Sequence, residues 1–112
     1  MTIKSFLFIT TIMLMMPHPT YAQTCALDDS FWLQPRSGLT VLSNAAIQPC
    51  VAALLADPPN KMLINYNDTD ESSISANELR QWLISLALPA EHILLKKQAT
   101  STDAISLEIQ HD

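Results

Sequence analysis

The sequence predicts an α+β domain, a two-layer sandwich with helices on one face of a mixed sheet, in the order strand, helix, strand, helix, strand, strand. Three observations predict it. Residues 61–66 form an apolar run bounded by Pro58-Pro59-Asn60 and Asn67. Leu79, Trp82, Leu83 and Leu86 fall at i, i+3, i+4 and i+7 of a helix, with Asn77, Arg80, Gln81 and Ser85 on its other side. Residues 93–98 and 104–109 both alternate apolar and polar, and their five-residue separation predicts an antiparallel hairpin.

Residues 1–22 have the three parts of a secretory signal: Lys4 in a short charged start, an apolar core at 6–16, and the small-residue site Thr20-Tyr21-Ala22 after Pro17-His18-Pro19. Cleavage is expected after Ala22. The apolar core is short of the ~20 residues that a membrane-crossing helix needs, so no transmembrane segment is expected after cleavage.

Residues 23–36 read as irregular, with Asp28-Asp29-Ser30 as turn formers and Phe31-Trp32-Leu33 as an apolar plug ahead of Pro35. The domain proper is expected at 37–110. Its first strand is placed at 39–42, a short β-branched run between Gly38 and Ser43-Asn44. A helix follows from about Ile47 or Gln48, because Pro49 suits a first turn and clashes inside a helix; Ile47, Val51, Leu54 and Leu55 share one of its sides. Asp57-Pro58-Pro59-Asn60 ends it, since pre-proline residues are restricted to extended geometry, and the strand at 61–66 begins. Residues 67–73 read as a polar loop, with Ser72 or Ser73 capping the second helix, which stops near Leu88-Pro89.

Without residues 1–22 the chain carries five Lys/Arg against eleven Asp/Glu, a net −6 with His neutral. That balance argues against nucleic acid, whose phosphates need clustered cations, and only Lys96-Lys97 are adjacent. Gly38 is the one glycine, so glycine-cradled phosphate or dinucleotide binding is excluded, and no cofactor is expected. Cys25 and Cys50 most simply form a disulfide in an exported chain. They lack the partners of a closed zinc site and the spacing of a Cys-x-x-Cys redox pair. Lipidation of Cys25 is the rival, but Ala22-Gln23-Thr24 lacks a lipoprotein pattern and Cys50 would be left unpaired.

No catalytic residue is expected. The histidines after cleavage are His92, at a strand start, and His111, near the end of the chain, and a Ser-His-Asp or Cys-His arrangement would have to use one of them. The dense polar cluster is Asn67, Asp68, Asp70 and Glu71. Its Asp-x-Asp spacing resembles the start of a calcium loop, yet Ser73 and Leu79 stand at the sixth and twelfth positions, where glycine and an acidic ligand are required. Asn67-Asp68-Thr69 is also a glycosylation sequon, informative only in a eukaryotic secretory setting.

From about Pro35 to Gln110 the chain resembles the periplasmic OmpA-like peptidoglycan-binding domain. The resemblance is carried by Leu54-Leu55-Ala56-Asp57-Pro58 at the end of the first helix, by the strand from Met62 that runs into Thr69-Asp70, and by residues 83–93, which are similar to the family's Leu…Gly-Ile-Pro-x-x-Arg-Ile. Leu107-Glu108-Ile109 is similar to its closing Val-Glu-Ile strand. The resemblance implies a periplasmic location, with release from the cell as the alternative. It also implies a clamp for diaminopimelate, made by an Asp in a Gly-His-Thr-Asp turn and an Arg at the start of the second helix. Here Ser75-Ala76 stands where the family has Arg-Ala, the preceding loop is about ten residues shorter, and either Asp68 or Asp70 takes the Asp position. Arg80 lies five residues beyond Ser75, roughly 140° around a helix from it. An acidic loop without its arginine disfavours a carboxylate ligand. The resemblance therefore implies a non-enzymatic envelope domain with a degenerate peptidoglycan site, acting through envelope protein partners. The alternative is a working peptidoglycan binder with a divergent pocket of Asp68, Asp70, Asn77 and Arg80.

Overall fold

The computed structural model describes residues 23–98 and 104–111. The expected signal, the cut after Ala22 and the connection at 99–103 lie outside the described residues. In chain order the elements are β1 (Thr24–Ala26), α1 (Asp29–Leu33), α2 (Gly38–Ser43), α3 (Ile47–Ala56) and β2 (Lys61–Tyr66). They continue with α4 (Asp70–Ser85), a single 3-10 turn (Ala90–His92), β3 (Ile93–Lys97) and β4 (Ile105–Gln110). The sheet runs β1-β4-β2-β3, with β3 parallel to β2 and β4 antiparallel to both β2 and β1. The fold is thus α+β with a mixed sheet and the expected order of strands and helices.

Three local expectations are corrected. Residues 39–42 are helical: Ser37 Oγ accepts from the Thr40 amide at 3.2 Å and Thr40 Oγ1 accepts from the Ser37 amide at 2.7 Å, a reciprocal cap that starts α2 despite its β-branched composition. The first strand is instead β1, inside the segment expected to be irregular, where α1 also forms. The runs at 93–98 and 104–109 are not paired with each other, because β2 lies between them. The physical reason is burial. The more continuously buried strands, β2 and β4, take the two central positions, while the three-residue β1 and the lysine-bearing β3 form the edges, as solvated edge strands require.

The register sets the two faces of the sheet. Met62 lies opposite Ile109, and Ile64 opposite Leu107. These four side chains, with Ile93 and Ile105, pack into one core with Val41 of α2, Ile47 and Leu54 of α3, and Ala76, Leu79 and Leu83 of α4. The intervening residues Leu63, Asn65, Ser106 and Glu108 point to the other face, where Asn65 Nδ2 donates to Glu108 Oε1 at 3.3 Å. Cys25 and Cys50 form the expected disulfide, with Cα atoms 6.3 Å apart, and it ties the edge strand β1 to α3. Buried Asn60 joins α3 to β2: its Nδ2 donates to the Ala53 carbonyl at 2.9 Å, and His111 Nδ1 lies 3.0 Å from its Oδ1. Among the described residues, no helix is long and apolar enough to cross a membrane.

Candidate functional site

The head of α4 is built by a three-residue turn, and Asp70 and Glu71 belong to the helix, whereas the polar loop was expected to reach residue 73. Thr69, not Ser72 or Ser73, is the cap: its Oγ1 accepts from the Ser72 amide at 3.1 Å and donates to Asn67 Oδ1 at 2.9 Å. Ser72 Oγ in turn accepts from the Asn67 amide at 3.1 Å and donates to the Ala104 carbonyl at 2.6 Å, which fastens the helix start to the approach of β4. Thr-Asp-Glu favours this longer helix, because a hydroxyl caps the free amides and two carboxylates sit at the positive end of the helix dipole.

An open cleft of about 500 Å³ lies against this turn. Asn67, Thr69, Glu71, Ser72 and Ser75 form one wall, and Asp29, Trp32 and Leu33 of α1 form the other. Two carboxylates, an indole and a leucine that is 86 % exposed therefore share one rim. Among the described residues that line it there is no lysine or arginine. Lys97, at the end of β3, is ion-paired with Asp68 at 2.8 Å, and hydrogen bonding to Asp68 holds its ammonium above the ordinary lysine range.

The four ligand candidates do not converge on this cleft, and none of them lines it. Asp68 is on Lys97. Asp70 is exposed in the first turn of α4. Asn77 Nδ2 donates to the Ser73 carbonyl at 2.9 Å, within its own helix. Arg80 donates from Nε to the Ile93 carbonyl at 2.8 Å and from Nη2 to the Ala90 carbonyl at 3.1 Å, so it fastens α4 to the start of β3. Among the described residues, no three His, Cys, Asp or Glu side chains are grouped to hold a metal ion.

A second arrangement lies outside the residues to which the sequence points. Arg36 grips Glu78 through Nε and, at 3.1 Å, through Nη2, while its Nη1 donates to the Trp32 carbonyl at 2.8 Å. The guanidinium lies 5.3 Å from the centre of the Trp32 ring, and Trp82 Nε1 donates to Glu78 Oε2 at 3.2 Å. The hydrogen bond from Arg36 holds the Glu78 carboxyl below its ordinary value against the opposing effect of burial. Glu71, Ser75, Glu78 and Trp82 recur at i, i+4, i+7 and i+11, so one stripe of α4 carries a cleft wall and then the clasp for the segment after α1. The available signals were the Glu78/Trp82 spacing and Arg36 four residues after Trp32; nothing local links the two.

No family model, curated protein or solved structure matches the chain.

Proposed function

We propose that this chain is an exported, non-enzymatic binding or assembly domain of a bacterial cell envelope, with an OmpA-like fold and a degenerate peptidoglycan site, acting through protein contacts in the periplasm. The observation that carries this reading is the charge of the cleft at the head of α4. Asp29 and Glu71 line it without a cation, and both arginines of the domain are engaged elsewhere, Arg36 on Glu78 and Arg80 on two carbonyls. A diaminopimelate carboxylate placed there would meet like charge with no guanidinium to receive it. Compatible with export are the disulfide, which persists in oxidising compartments, and the absence of a membrane-crossing helix among the described residues.

The competing reading is a peptidoglycan binder with a divergent pocket, and Asp70, exposed at the first turn of α4, is the residue on which it turns. Co-sedimentation with purified sacculi separates the two. The degenerate-site reading expects the protein to stay in the supernatant; pelleting that is lost on Asp70→Ala would overturn it.

A further inference from the structure

We infer that the cleft between α1 and the head of α4 is a docking groove for an extended, basic and apolar segment of a partner protein, which places a Lys or Arg head between Asp29 and Glu71 and an apolar neighbour on Trp32 and Leu33. This inference rests on the reading of the domain as a protein-binding module and names the chemistry of the partner. Charge complementarity selects the occupant. The groove has two carboxylates on opposite walls and, among the described residues, no cation in its lining, so it attracts a cation and repels an anionic ligand.

The apolar part of the lining contributes independently of the charge. Leu33 is 86 % exposed at the end of α1 beside the half-buried Trp32. An indole at the lip of a groove is the kind of aromatic anchor that carries much of the energy of a protein interface, and the exposed leucine beside it extends the apolar surface. The Arg36 guanidinium lies 5.3 Å from the centre of the Trp32 ring, but its charge is paired with Glu78. Lys and Arg combine a charged head with an apolar stem and so satisfy both kinds of lining at once. The volume of about 500 Å³ falls within the range of roughly 300 to 1,000 Å³ typical of ligand sites. The groove walls are braced. Ser72 fastens one to the approach of β4, and the Arg36–Glu78 clasp fastens the segment after α1 to α4, so little ordering cost is left for binding.

The probe is a six-residue peptide of alternating Lys and Leu, acetylated and amidated at its ends, with the Glu/Leu counterpart as control, titrated into the full exported chain while amide and indole resonances are followed. The Lys/Leu peptide is expected to shift Trp32, Glu71 and Ser75 selectively, and the Glu/Leu peptide to shift nothing. Paired charge reversal, Asp29→Lys with Glu71→Lys, is expected to weaken binding at least about tenfold, while Asp57→Lys, at the far end of α3, leaves it unchanged. Asp29→Asn with Glu71→Gln, which keeps size and polarity, decides the matter if the reversal variant fails to fold, with a loss of about threefold or more expected. Absence of binding, or equal loss in Asp57→Lys, overturns the groove. Sacculus co-sedimentation run alongside separates the two conclusions: a soluble chain that ignores the Lys/Leu peptide sinks the groove alone, whereas Asp70-dependent pelleting sinks the functional reading beneath it.

Discussion

Arg36 and Glu78, 42 residues apart in the chain, meet in a two-point clasp that holds the segment after α1 against the middle of α4. The clasp is completed from both sides, by the Trp32 carbonyl on the arginine and the Trp82 indole on the glutamate. It therefore does more than pair two surface charges. It sets the position of the wall that carries Asp29, Trp32 and Leu33, so the shape of the groove depends on a contact outside it.

Breaking the clasp is expected to cost about 1 kcal/mol, at the upper end for a part-exposed ion pair because the geometry is two-pronged and backbone-supported. In a double-mutant cycle with Arg36→Met and Glu78→Gln, measured by urea denaturation, the coupling is expected near that figure. A coupling within error of zero would reduce the clasp to a surface coincidence. The indole resonance of Trp32, resolved from that of Trp82 by NMR, is expected to shift in either single variant.

The same pair sets an acid limb of stability. The Glu78 carboxyl is held below its ordinary value of 4.5, chiefly by its hydrogen bond from Arg36. A depressed folded-state pKa contributes stability that is present above the unfolded value and lost as pH falls through the folded one. The stability gap between wild type and Glu78→Gln is thus expected to be constant above about pH 5 and to close below pH 4.5. Melting temperatures taken from pH 7 to pH 3 test this, and a gap that widens on acidification would reverse the sign.

Reduction of Cys25–Cys50 is expected to be the largest single perturbation. The bridge closes a 25-residue separation, for which loop-closure entropy gives about 3.5 kcal/mol. For a domain of this size that corresponds to a fall in melting temperature of roughly 15 °C. Calorimetry of a Cys25→Ala/Cys50→Ala variant measures it without leaving free thiols, and a fall of under about 5 °C would show that α3 holds β1 by packing alone.

What was legible in the sequence follows element length. α3 and α4 show a period of 3.6, β3 and β4 alternate, β2 is an apolar run between prolines and Asn67, and all five lie where expected to within a few residues. α1 and α2 have five and six residues, less than two turns of a 3.6-residue period, and β1 has three, too few to alternate; α2 also carries a strand-like Leu39-Thr40-Val41-Leu42 that Ser37 capping overrides. The placement of β4 beside β2 is a matter of which strands are most apolar across the whole sheet, and local spacing cannot express it. The site was half legible for the same reason. Asn67, Thr69 and Glu71 lie in one acidic stretch, but the opposite wall comes from Asp29 and Trp32, far upstream, and Arg80 is held by two carbonyls that no motif announces.

The end of α4 contains a conformation its residue does not favour. Ala87 has φ of 74°, and its amide donates to the Ile84 carbonyl at 3.0 Å while the Leu88 amide donates to the Leu83 carbonyl at 3.2 Å. This is the helix-ending motif that prefers glycine at the left-handed position. Ala87→Gly is expected to stabilise the domain by about 1 kcal/mol, since relief of the Cβ clash exceeds the added entropy of the unfolded chain. A chemical denaturation midpoint that falls on substitution would contradict the strain.

Arg80 decides between a ligand residue and a brace. As a ligand its guanidinium would have to leave the Ile93 and Ala90 carbonyls, which it now meets at 2.8 and 3.1 Å. Both lie where the 3-10 turn passes into β3, so the arginine fixes the entry of an edge strand that, among the described residues, is paired with β2 alone. Arg80→Met keeps the apolar stem and removes the donors. It is expected to cost about 2 kcal/mol, given the worth of a charge-assisted bond to a neutral acceptor and partial rehydration of the freed carbonyls. Hydrogen exchange is expected to speed up in β3 and hardly at all at the head of α4, because the brace acts on the strand entry and the groove is fastened separately through Thr69 and Ser72. Unchanged exchange in β3, with loss of a bound ligand instead, would restore Arg80 to a binding role.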